Sequence, residues 1–462
     1  MVLIGTRPQI QWCWFELKRK FSTSPKVGNI TQFYLDLMKR GLVSASHPPK
    51  LSDNFDVLKT LPDVVYAGFD PTAESLHIGH LLILTNLFRS TLYGCHAIAL
   101  IGRSTARIGD PSGHDKDRVI VSSQLVDQYA SKINSQLIKL FKNFTEDEGD
   151  IKRLSVMDNF RWHMNMSSIQ FLELCRDFRV SDMLRLGMVK SRIRNGSGLS
   201  CTEFLYQVLQ SYDWYRLLCE YDCHFQMGGN DQLGHLNAGY DYIKKKTGRL
   251  CVGICLPLLT DARGKKLSKT SKESNNIWLD EQKTSPFTFY QYFHQKADSV
   301  IIPLLRYFSL RTMEEIEEIE HEHAANLGKW IAQKKLAEDM TKLVHGRDGL
   351  KRAESCSEIL FHGSLHELGN MSTSSIEEQF GSALVQQLSR SSFSTVGELA
   401  REVHAGEGSS DNKMKAGALK LNGSRFTDPD ETIDFNKICF KNNDITLVCW
   451  GKRKYHLVRW TD

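Results

Sequence analysis

Four groups of residues in this 462-residue sequence have the types and spacing to do chemistry on a nucleotide. The first is the run Tyr66-Ala-Gly-Phe-Asp-Pro-Thr-Ala-Glu-Ser-Leu-His-Ile-Gly-His80. Asp70 and Pro71 end an apolar strand. His77 and His80 then stand three apart where a helix begins, which sets both imidazoles on one side of its first turn. The free backbone N–H groups and the dipole of a helix start favour anions, phosphate above all. Two histidines there can stabilise charge that grows on a phosphate in a transition state, and Gly79 lets a flat ring approach the backbone. The second group is Gly264-Lys-Lys-Leu-Ser-Lys-Thr270 in a polar stretch. The ammonium groups of Lys266 and Lys269, with hydroxyls at Ser268 and Thr270, suit a polyphosphate, and a mobile loop lets such contacts form mainly in the transition state. Taken singly, a His-x-x-His pair is more often structural and a lysine-rich loop more often merely solvated. Together they outweigh those readings.

The third group lies on a long helical run from Thr202 to Tyr221. Tyr206, Gln210 and Asp213 stand at i, i+4 and i+7; at ~100° per residue they fall within about 60° of one another and share a stripe. Leu205, Leu209 and Leu217 imply that the helix is packed, so these polar groups need partners, and a bound polar ligand would supply them. The fourth is Gly228-Gly-Asn-Asp-Gln232, directly after an apolar run. Gly228 and Gly229 permit close approach of a ribose or base, and Asp231 can accept from ribose hydroxyls. Asp110, in Ile108-Gly-Asp-Pro-Ser-Gly113, reads by itself as a turn former.

The elements that must position these groups follow from periodicity. Strands are expected at Val64–Phe69, His96–Ile101, Leu154–Met157, His224–Met227 and Leu250–Leu259, with helices between them from Gly79 to Tyr93, Ser122 to Phe144, Thr202 to Tyr221 and Asp231 to Lys246. This alternation predicts an α/β fold: a Rossmann-like, doubly wound parallel sheet with helices on both faces and ligands beyond the carboxyl ends of its strands. The first, second and fourth groups, and Asp110, do follow strands. Residues 284–363 are helical in period and almost free of strand signals. The acidic helix of Glu314, Glu315, Glu317, Glu318, Glu320 and Glu322 reads as a solvated face. Residues 371–394 are Ser-rich and polar, a linker by composition. A small α+β segment closes the chain, with a hairpin formed by Ile445–Trp450 and Tyr455–Trp460. The expected divisions are thus a presequence at 1–28, the strand–helix domain at 29–282, a helical domain at 283–370, a linker at 371–394 and a small α+β domain at 395–462.

Composition sets the boundaries of the reading. Hydrophobic residues are 41% and charged residues 24%, ordinary for a globular chain and excluding a disordered or collagen-like one. No apolar run reaches the ~18–20 residues of a membrane span. The net charge is +5, but residues 1–28 hold Arg7, Lys18, Arg19, Lys20 and Lys26 against Glu16 alone. This acid-poor segment, ending in Ser22-Thr23-Ser24, reads as a mitochondrial presequence and so predicts the mitochondrial matrix. The 11 cysteines fit a reduced compartment. Cys219/Cys223 and Cys251/Cys255 have a spacing that zinc permits, but their apolar surroundings read as small buried hydrophobes, so no metal site is assigned.

His77-Ile-Gly-His80 near the start of a nucleotide fold and Lys266-Leu-Ser-Lys-Thr270 at its end resemble the paired signatures of class I aminoacyl-tRNA synthetases. With Tyr206-x-x-x-Gln-x-x-Asp213, Gly-Asp110-Pro-Ser-Gly and Gly228-Gly-Asn-Asp-Gln232, the chain resembles specifically the tyrosyl-tRNA synthetases of bacterial and mitochondrial type, closely over about residues 50–360. That resemblance implies ATP-dependent attachment of tyrosine to tRNA(Tyr) by way of tyrosyl-adenylate, with Mg2+ accompanying ATP. It implies that Asp213 and Tyr66 hold the substrate phenol, that Tyr206, Gln210 and Asp110 hold its α-amino group, and that Gln232 meets the carbonyl. His77, His80, Thr72, Lys266, Lys269 and Thr270 would face the phosphates, while Asp70, Gly79, Gly229 and Asp231 line the ATP site. The resemblance makes 29–282 the catalytic domain, 283–370 an anticodon-arm-binding domain and 395–462 an RNA-binding domain; a homodimer is also implied, with no editing domain and no membrane attachment. The stretch Lys413-Met-Lys-Ala-Gly-Ala-Leu-Lys-Leu-Asn-Gly423 resembles an RNA-binding module shared with a ribosomal small-subunit protein. There Lys413, Lys415, Lys420 and Arg425, with Lys452, Arg453 and Lys454, would contact phosphates. Asn230, Ala67, Leu267 and Arg103 depart from the family pattern. The alternatives are a tryptophanyl-tRNA synthetase, a catalytically retired synthetase that acts in RNA binding or splicing, and a different nucleotidyltransferase, which would leave the Tyr206/Gln210/Asp213 stripe unexplained.

Overall fold

The structure is a computed structural model that describes residues 29–49, 51, 55–113, 116–119, 121–146, 151–259, 277–361, 365–381, 385–403, 409–440, 443–451 and 454–461. Six strands form the first sheet: β1 (Ala45–His47), β2 (Val64–Phe69), β3 (His96–Ile101), β4 (Leu154–Asp158), β5 (Phe225–Gly229) and β6 (Val252–Leu256), in the order β1-β6-β5-β2-β3-β4. The five expected strands are parallel, with Tyr66 opposite Ile98 and Val65 opposite Phe225. β1 pairs antiparallel with β6; at three residues it is too short to show a period in the sequence. The chain builds outward from β2 to β4, then returns to lay β5 and β6 on the other side of β2. A crevice for ligands therefore lies at the carboxyl ends of β2 and β5, where the strand order reverses.

Side chains on β2 alternate between two cores, as a pleated strand requires. Val65, Ala67 and Phe69 pack on one face of the sheet with α1 (Ile78–Leu92) and α2 (Ser123–Thr145). Val64 and Tyr66 pack on the other face, beneath the helix that carries Asp213. After β4 comes the short α3 (Phe160–His163), then α4 (Cys201–Tyr221) and, beyond β5, α5 (Leu233–Thr247). Ser200 starts α4 by accepting from the Glu203 N–H, and Asp222 ends it in the left-handed conformation at φ 57°.

The helical region does not stand apart. Phe289 and Phe293 of α6 (Pro286–His294) and Leu336, Met340 and Val344 of α7 (Ile331–Phe361) fill the same core as Val65 and Phe69. α7 breaks at Gly346, at φ 75° and ψ 179°. The Asn143 side chain of α2 donates to the carbonyls of Leu343 (3.0 Å) and Val344 (3.2 Å) at that break.

The expectation of a linker at 371–394 does not hold. This stretch contains α8 (Thr373–Phe380) and β7 (Val385–Ser389). With β8 (Leu419–Leu421), β9 (Ser424–Phe426), β10 (Ile445–Trp450) and β11 (Lys454–Thr461), β7 forms a second sheet in the order β7-β11-β10-β8-β9. β10 and β11 are the expected hairpin, Leu447 opposite Leu457, and β7 runs parallel to β11. Ile376, Phe380 and Val385 are buried with Leu360 of α7 and with Ile445, Leu447 and Leu457. The abundant serines hid this pattern because they serve as caps: Ser372 accepts from the Ser375 N–H to start α8. No described helix is long and apolar enough to cross a membrane.

Candidate active site

His77 is the N-cap of α1, and its Nδ1 accepts the backbone N–H of Gly79 at 3.1 Å. The Nδ1 of His80 accepts the backbone N–H of His77 at 3.2 Å. With both Nδ1 atoms used as acceptors, each neutral ring carries its proton on Nε2, the atom it can offer as donor. The rings stack with centroids 4.0 Å apart. Burial holds His77 down to about 4, and burial with the neighbouring His77 holds His80 well below the ordinary range. Both histidines are therefore neutral at pH 7 and act as hydrogen-bond donors. Thr72, just beyond β2, is exposed and gives its N–H to the Asp70 carbonyl at 2.8 Å.

Asp70 sits deeper. The Thr105 hydroxyl donates to its Oδ1 at 2.7 Å and the Tyr206 hydroxyl to its Oδ2 at 2.8 Å. Asp70 is thereby joined to the amino-acid side of the site through Tyr206. Burial, helped by the charges of Asp110 and Asp213, pushes its carboxyl up to about 7 against those hydrogen bonds. Gly102, at the end of β3, makes room for it: a Cβ there would lie 1.8 Å from Asp70 Oδ1.

Asp110 behaves oppositely. It too is buried, which pushes its carboxyl up. The contact and charge of His235 (3.1 Å), the Ser112 N–H (2.8 Å) and Gln232 Nε2 (2.8 Å) outweigh that and hold it well below the usual carboxylate range. The structure thus joins Asp110 and Gln232 directly. Gly229 ends β5 and Asp231 follows it at the mouth of the crevice, where Asp231 is exposed; a Cβ on Gly229 would lie 2.6 Å from Asp231 Oδ1.

Asp213, in the sequence reading a group awaiting a ligand, already has partners in the chain. Trp162 Nε1 donates to its Oδ1 at 2.7 Å, His163 Nε2 meets the same oxygen at 2.7 Å, and Asn159 Nδ2 donates to its Oδ2 at 2.9 Å. Tyr66 is the group left over. Its hydroxyl is buried with no hydrogen-bond partner among the described residues, and burial with the Asp213 charge pushes its phenol well above the ordinary range. Gln210 is half-buried on the same helix, between Tyr206 and Asp213.

Several of these residues were missed by sequence reasoning: Thr105, Asn159, Trp162, His163 and His235. The available signal was Asp158-Asn-Phe-Arg-Trp-His163, a polar and aromatic run directly after β4 and hence at the ligand edge of the sheet. Arg103, which had no explanation, points into this support. It bonds Asp127 (2.6 Å) and Asp158 (3.4 Å) and lies 4.3 Å over the Phe160 ring, next to Asn159.

Lys266, Lys269 and Thr270 lie outside the described residues, as do Lys452 and Arg453, and the Lys454 side chain is likewise not described. Lys413 and Lys415 are on the short helix Ser410–Lys415. Lys420 and Arg425 stand opposite each other across β8 and β9, and a Cβ on Gly417 would lie 3.1 Å from Arg425 Cδ. Of the four cysteines once weighed for zinc, Cys223, Cys251 and Cys255 are buried and Cys219 is exposed. Among the described residues no group of three or more His, Cys, Asp or Glu could hold a metal ion.

Comparison with known proteins agrees with this geometry. The family model for class I tRNA synthetases (W and Y) matches residues 59–362. The mitochondrial tyrosine–tRNA ligase of Rattus norvegicus is 37% identical over 405 residues, covering 86% of this chain and 85% of that protein. Tyrosine–tRNA ligase 1 of Bacillus subtilis is 36% identical over 449 residues, covering 93% of this chain and all of that protein. Among solved structures, a C-terminally truncated mitochondrial tyrosyl-tRNA synthetase from Aspergillus nidulans superposes with a TM-score of 0.63 at 29% identity, over 71% of this chain and 94% of that one. Relatives this similar over most of their length, together with the matching family model, leave a single assignment: the chain belongs to the class I tyrosyl-tRNA synthetases.

Proposed function

We propose that this chain joins tyrosine to tRNA(Tyr) in mitochondrial translation, in the matrix, through two steps on one surface. In the first, the tyrosine carboxylate attacks the α-phosphate of ATP and pyrophosphate leaves. In the second, the acyl group passes from AMP to the terminal ribose of the tRNA. Neither step needs a side-chain nucleophile, so catalysis is positioning and charge stabilisation. The neutral His77 and His80 offer Nε2–H donors to the phosphates from the start of α1, with Thr72 beside them; Lys266, Lys269 and Thr270, outside the described residues, add ammonium and hydroxyl groups to the same phosphates. Gly79, Gly229 and Asp231 take the adenosine, Asp231 through the ribose. Magnesium enters with ATP as its complex, held chiefly by the phosphates.

Asp110, Tyr206 and Gln210, with Asp70 behind Tyr206, take the amino group, and Gln232 takes the carbonyl. Asp213 and Tyr66 take the phenol. The observation that carries this reading is the buried, unpartnered Tyr66 hydroxyl beneath the helix that carries Asp213. A phenol satisfies both groups, since its O–H donates and its oxygen accepts. An indole has an N–H and no acceptor, which disfavours tryptophan. Phenylalanine leaves the Tyr66 hydroxyl unpaired and the remaining site on Asp213 unfilled, and this family is known to reject it by roughly 10⁵ without editing. The presence of His77, His80, Asp110 and Asp213 speaks against a retired enzyme. Six large apolar side chains between Met164 and Ile193 are exposed, among them Ile169 at 64% and Leu172 at 62%, a surface suited to a homodimer. Lys413, Lys415, Lys420 and Arg425, with Lys452, Arg453 and Lys454, take tRNA phosphates. Lys420 directly opposite Arg425 is a repulsion that an RNA backbone relieves.

Amino-acid-dependent ATP–pyrophosphate exchange on protein beginning at residue 29 tests the reading. Tyrosine is expected to support exchange, tryptophan and phenylalanine are not, and Asp213→Ala is expected to lose at least ~100-fold in kcat/KM. Exchange that survives Asp213→Ala unchanged would sink the assignment of the phenol pocket.

A further inference from the structure

We infer that His163 sets the specificity of the phenol pocket by keeping Asp213 an acceptor. An ionised carboxylate has about four lone-pair sites. On Asp213 the chain uses three of them: Trp162 Nε1 and His163 Nε2 at Oδ1, both at 2.7 Å, and Asn159 Nδ2 at Oδ2, at 2.9 Å. One site on Oδ2 remains for a ligand. Trp162 and Asn159 can only donate through the atoms they present. Trp162 and His163 share Oδ1, so loss of the His163 imidazole leaves a site there that a rotated group can expose. The His163 and Asp213 side chains are 8% and 4% exposed, so solvent does not replace a missing bond. His163 is also packed against Trp162 and Tyr212, at ring distances of 6.4 Å and 5.7 Å, which fixes the direction of its Nε2.

The consequence is directional. With Oδ1 saturated by donors, Asp213 meets the substrate as an acceptor, so the substrate must bring an O–H, and the Tyr66 hydroxyl is then free to donate to the phenol oxygen. Without His163, the Asp213 carboxylate can turn away from the ligand, and a ring lacking the hydroxyl is penalised less. His163 is therefore a positioning residue for the discrimination between tyrosine and phenylalanine. It touches neither the phosphates nor the reacting carboxylate.

The inference rests on Asp213 as the phenol acceptor, and the experiment separates the two. Pyrophosphate exchange is measured with tyrosine and with phenylalanine on the full chain and on His163→Leu, His163→Gln and Asp213→Asn. In His163→Leu, the KM for tyrosine should rise about tenfold or more, as loss of a hydrogen bond to a charged group predicts. Its kcat should fall less than about threefold, and the tyrosine-to-phenylalanine ratio of kcat/KM should drop at least about tenfold. His163→Gln places an amide N–H donor at similar reach and should restore most of the ratio. A role in packing alone would lower both substrates together and would not be rescued by glutamine; either result overturns the inference. Should leucine prevent folding, His163→Asn, polar but too short to reach Asp213, carries the same comparison with His163→Gln. A ratio that falls in Asp213→Asn but holds in His163→Leu overturns this inference alone. A ratio unchanged in Asp213→Asn overturns the phenol-pocket reading beneath it.

Discussion

Asp70 lies where three buried carboxylates influence one another, and its proton is the one that yields. Its carboxyl is raised to about 7 by burial and by the charges of Asp110 and Asp213. Its folded value therefore lies above the unfolded one of ~3.9. The proton it holds favours the folded state below about pH 4, and that contribution is lost as pH rises toward 7. An ammonium group bound beside Tyr206 and Asp110 favours the ionised form. Binding of tyrosine at pH 6 should then release between about half a proton and one, and close to none at pH 8.5. Calorimetry in buffers of different ionisation enthalpy measures this, and Asp70→Asn should remove the release at pH 6. Gly102 makes a second residue-scale test. Its missing Cβ would lie 1.8 Å from Asp70 Oδ1 and 2.4 Å from Thr105 Oγ1. Gly102→Ala must displace that pair, and with it Tyr206, so the KM for tyrosine should rise about tenfold or more. The sequence marked Asp70 as a strand breaker near ATP. Its bond to Tyr206, 136 residues away, could not be read from it.

At the level of elements, local pattern and observed structure agree wherever one face of a segment is buried and the other is not. β2 and α4 are of this kind: period alone put Tyr206, Gln210 and Asp213 on one stripe of a helix, and the structure packs that helix over the face of β2 that carries Tyr66. α7 carries information of a different sort. Its break at Gly346 has a positive φ of 75°, and a Cβ there would meet Asn143 Oδ1 at 3.4 Å. The space is adequate, so the cost of a side chain is conformational. Gly346→Ala should destabilise the protein by about 1–2 kcal/mol, read as a lower denaturation midpoint with an unchanged slope. No loss of stability would show that α7 closes into a regular helix when the glycine is replaced. β1 and β7 escaped the sequence reading for complementary reasons: β1 is three residues long, and β7 lies among serines whose caps resemble a linker.

For the whole molecule, the boundaries matter because cores cross them. The helices after residue 283 share a core with the nucleotide-binding sheet, and the C-terminal sheet shares one with α7 and α8. A chain ending at 394 keeps Ile376, Phe380 and Val385 but loses Ile445, Leu447 and Leu457, which cover them. It should bind a hydrophobic dye and elute as aggregate, whereas a compact, equally stable truncation would show that α8 and β7 pack without the hairpin. Charge is also distributed at this scale. With residues 1–28 set aside the chain is nearly neutral, so tRNA affinity must come from local clusters. Lys420→Gln with Arg425→Gln should reduce the slope of log affinity against log salt by about 1.5–2. An unchanged slope would place the RNA contact elsewhere.

By itself, the sequence determined what is local. Period and breakers specified the parallel sheet, the histidine turn at the head of α1 and the polar stripe of α4, because each is written within one or two elements. Only the tertiary structure decided the protonation and partners of the site. The donors to Asp213 come from 50 to 54 residues away, and those to Asp110 include Gln232, 122 residues on. The parallel register of β2 to β5 brings these groups to one edge of the sheet, and the burial produced there makes Asp70 weakly acidic, keeps His77 and His80 neutral, and leaves the Tyr66 hydroxyl without a partner among the described residues.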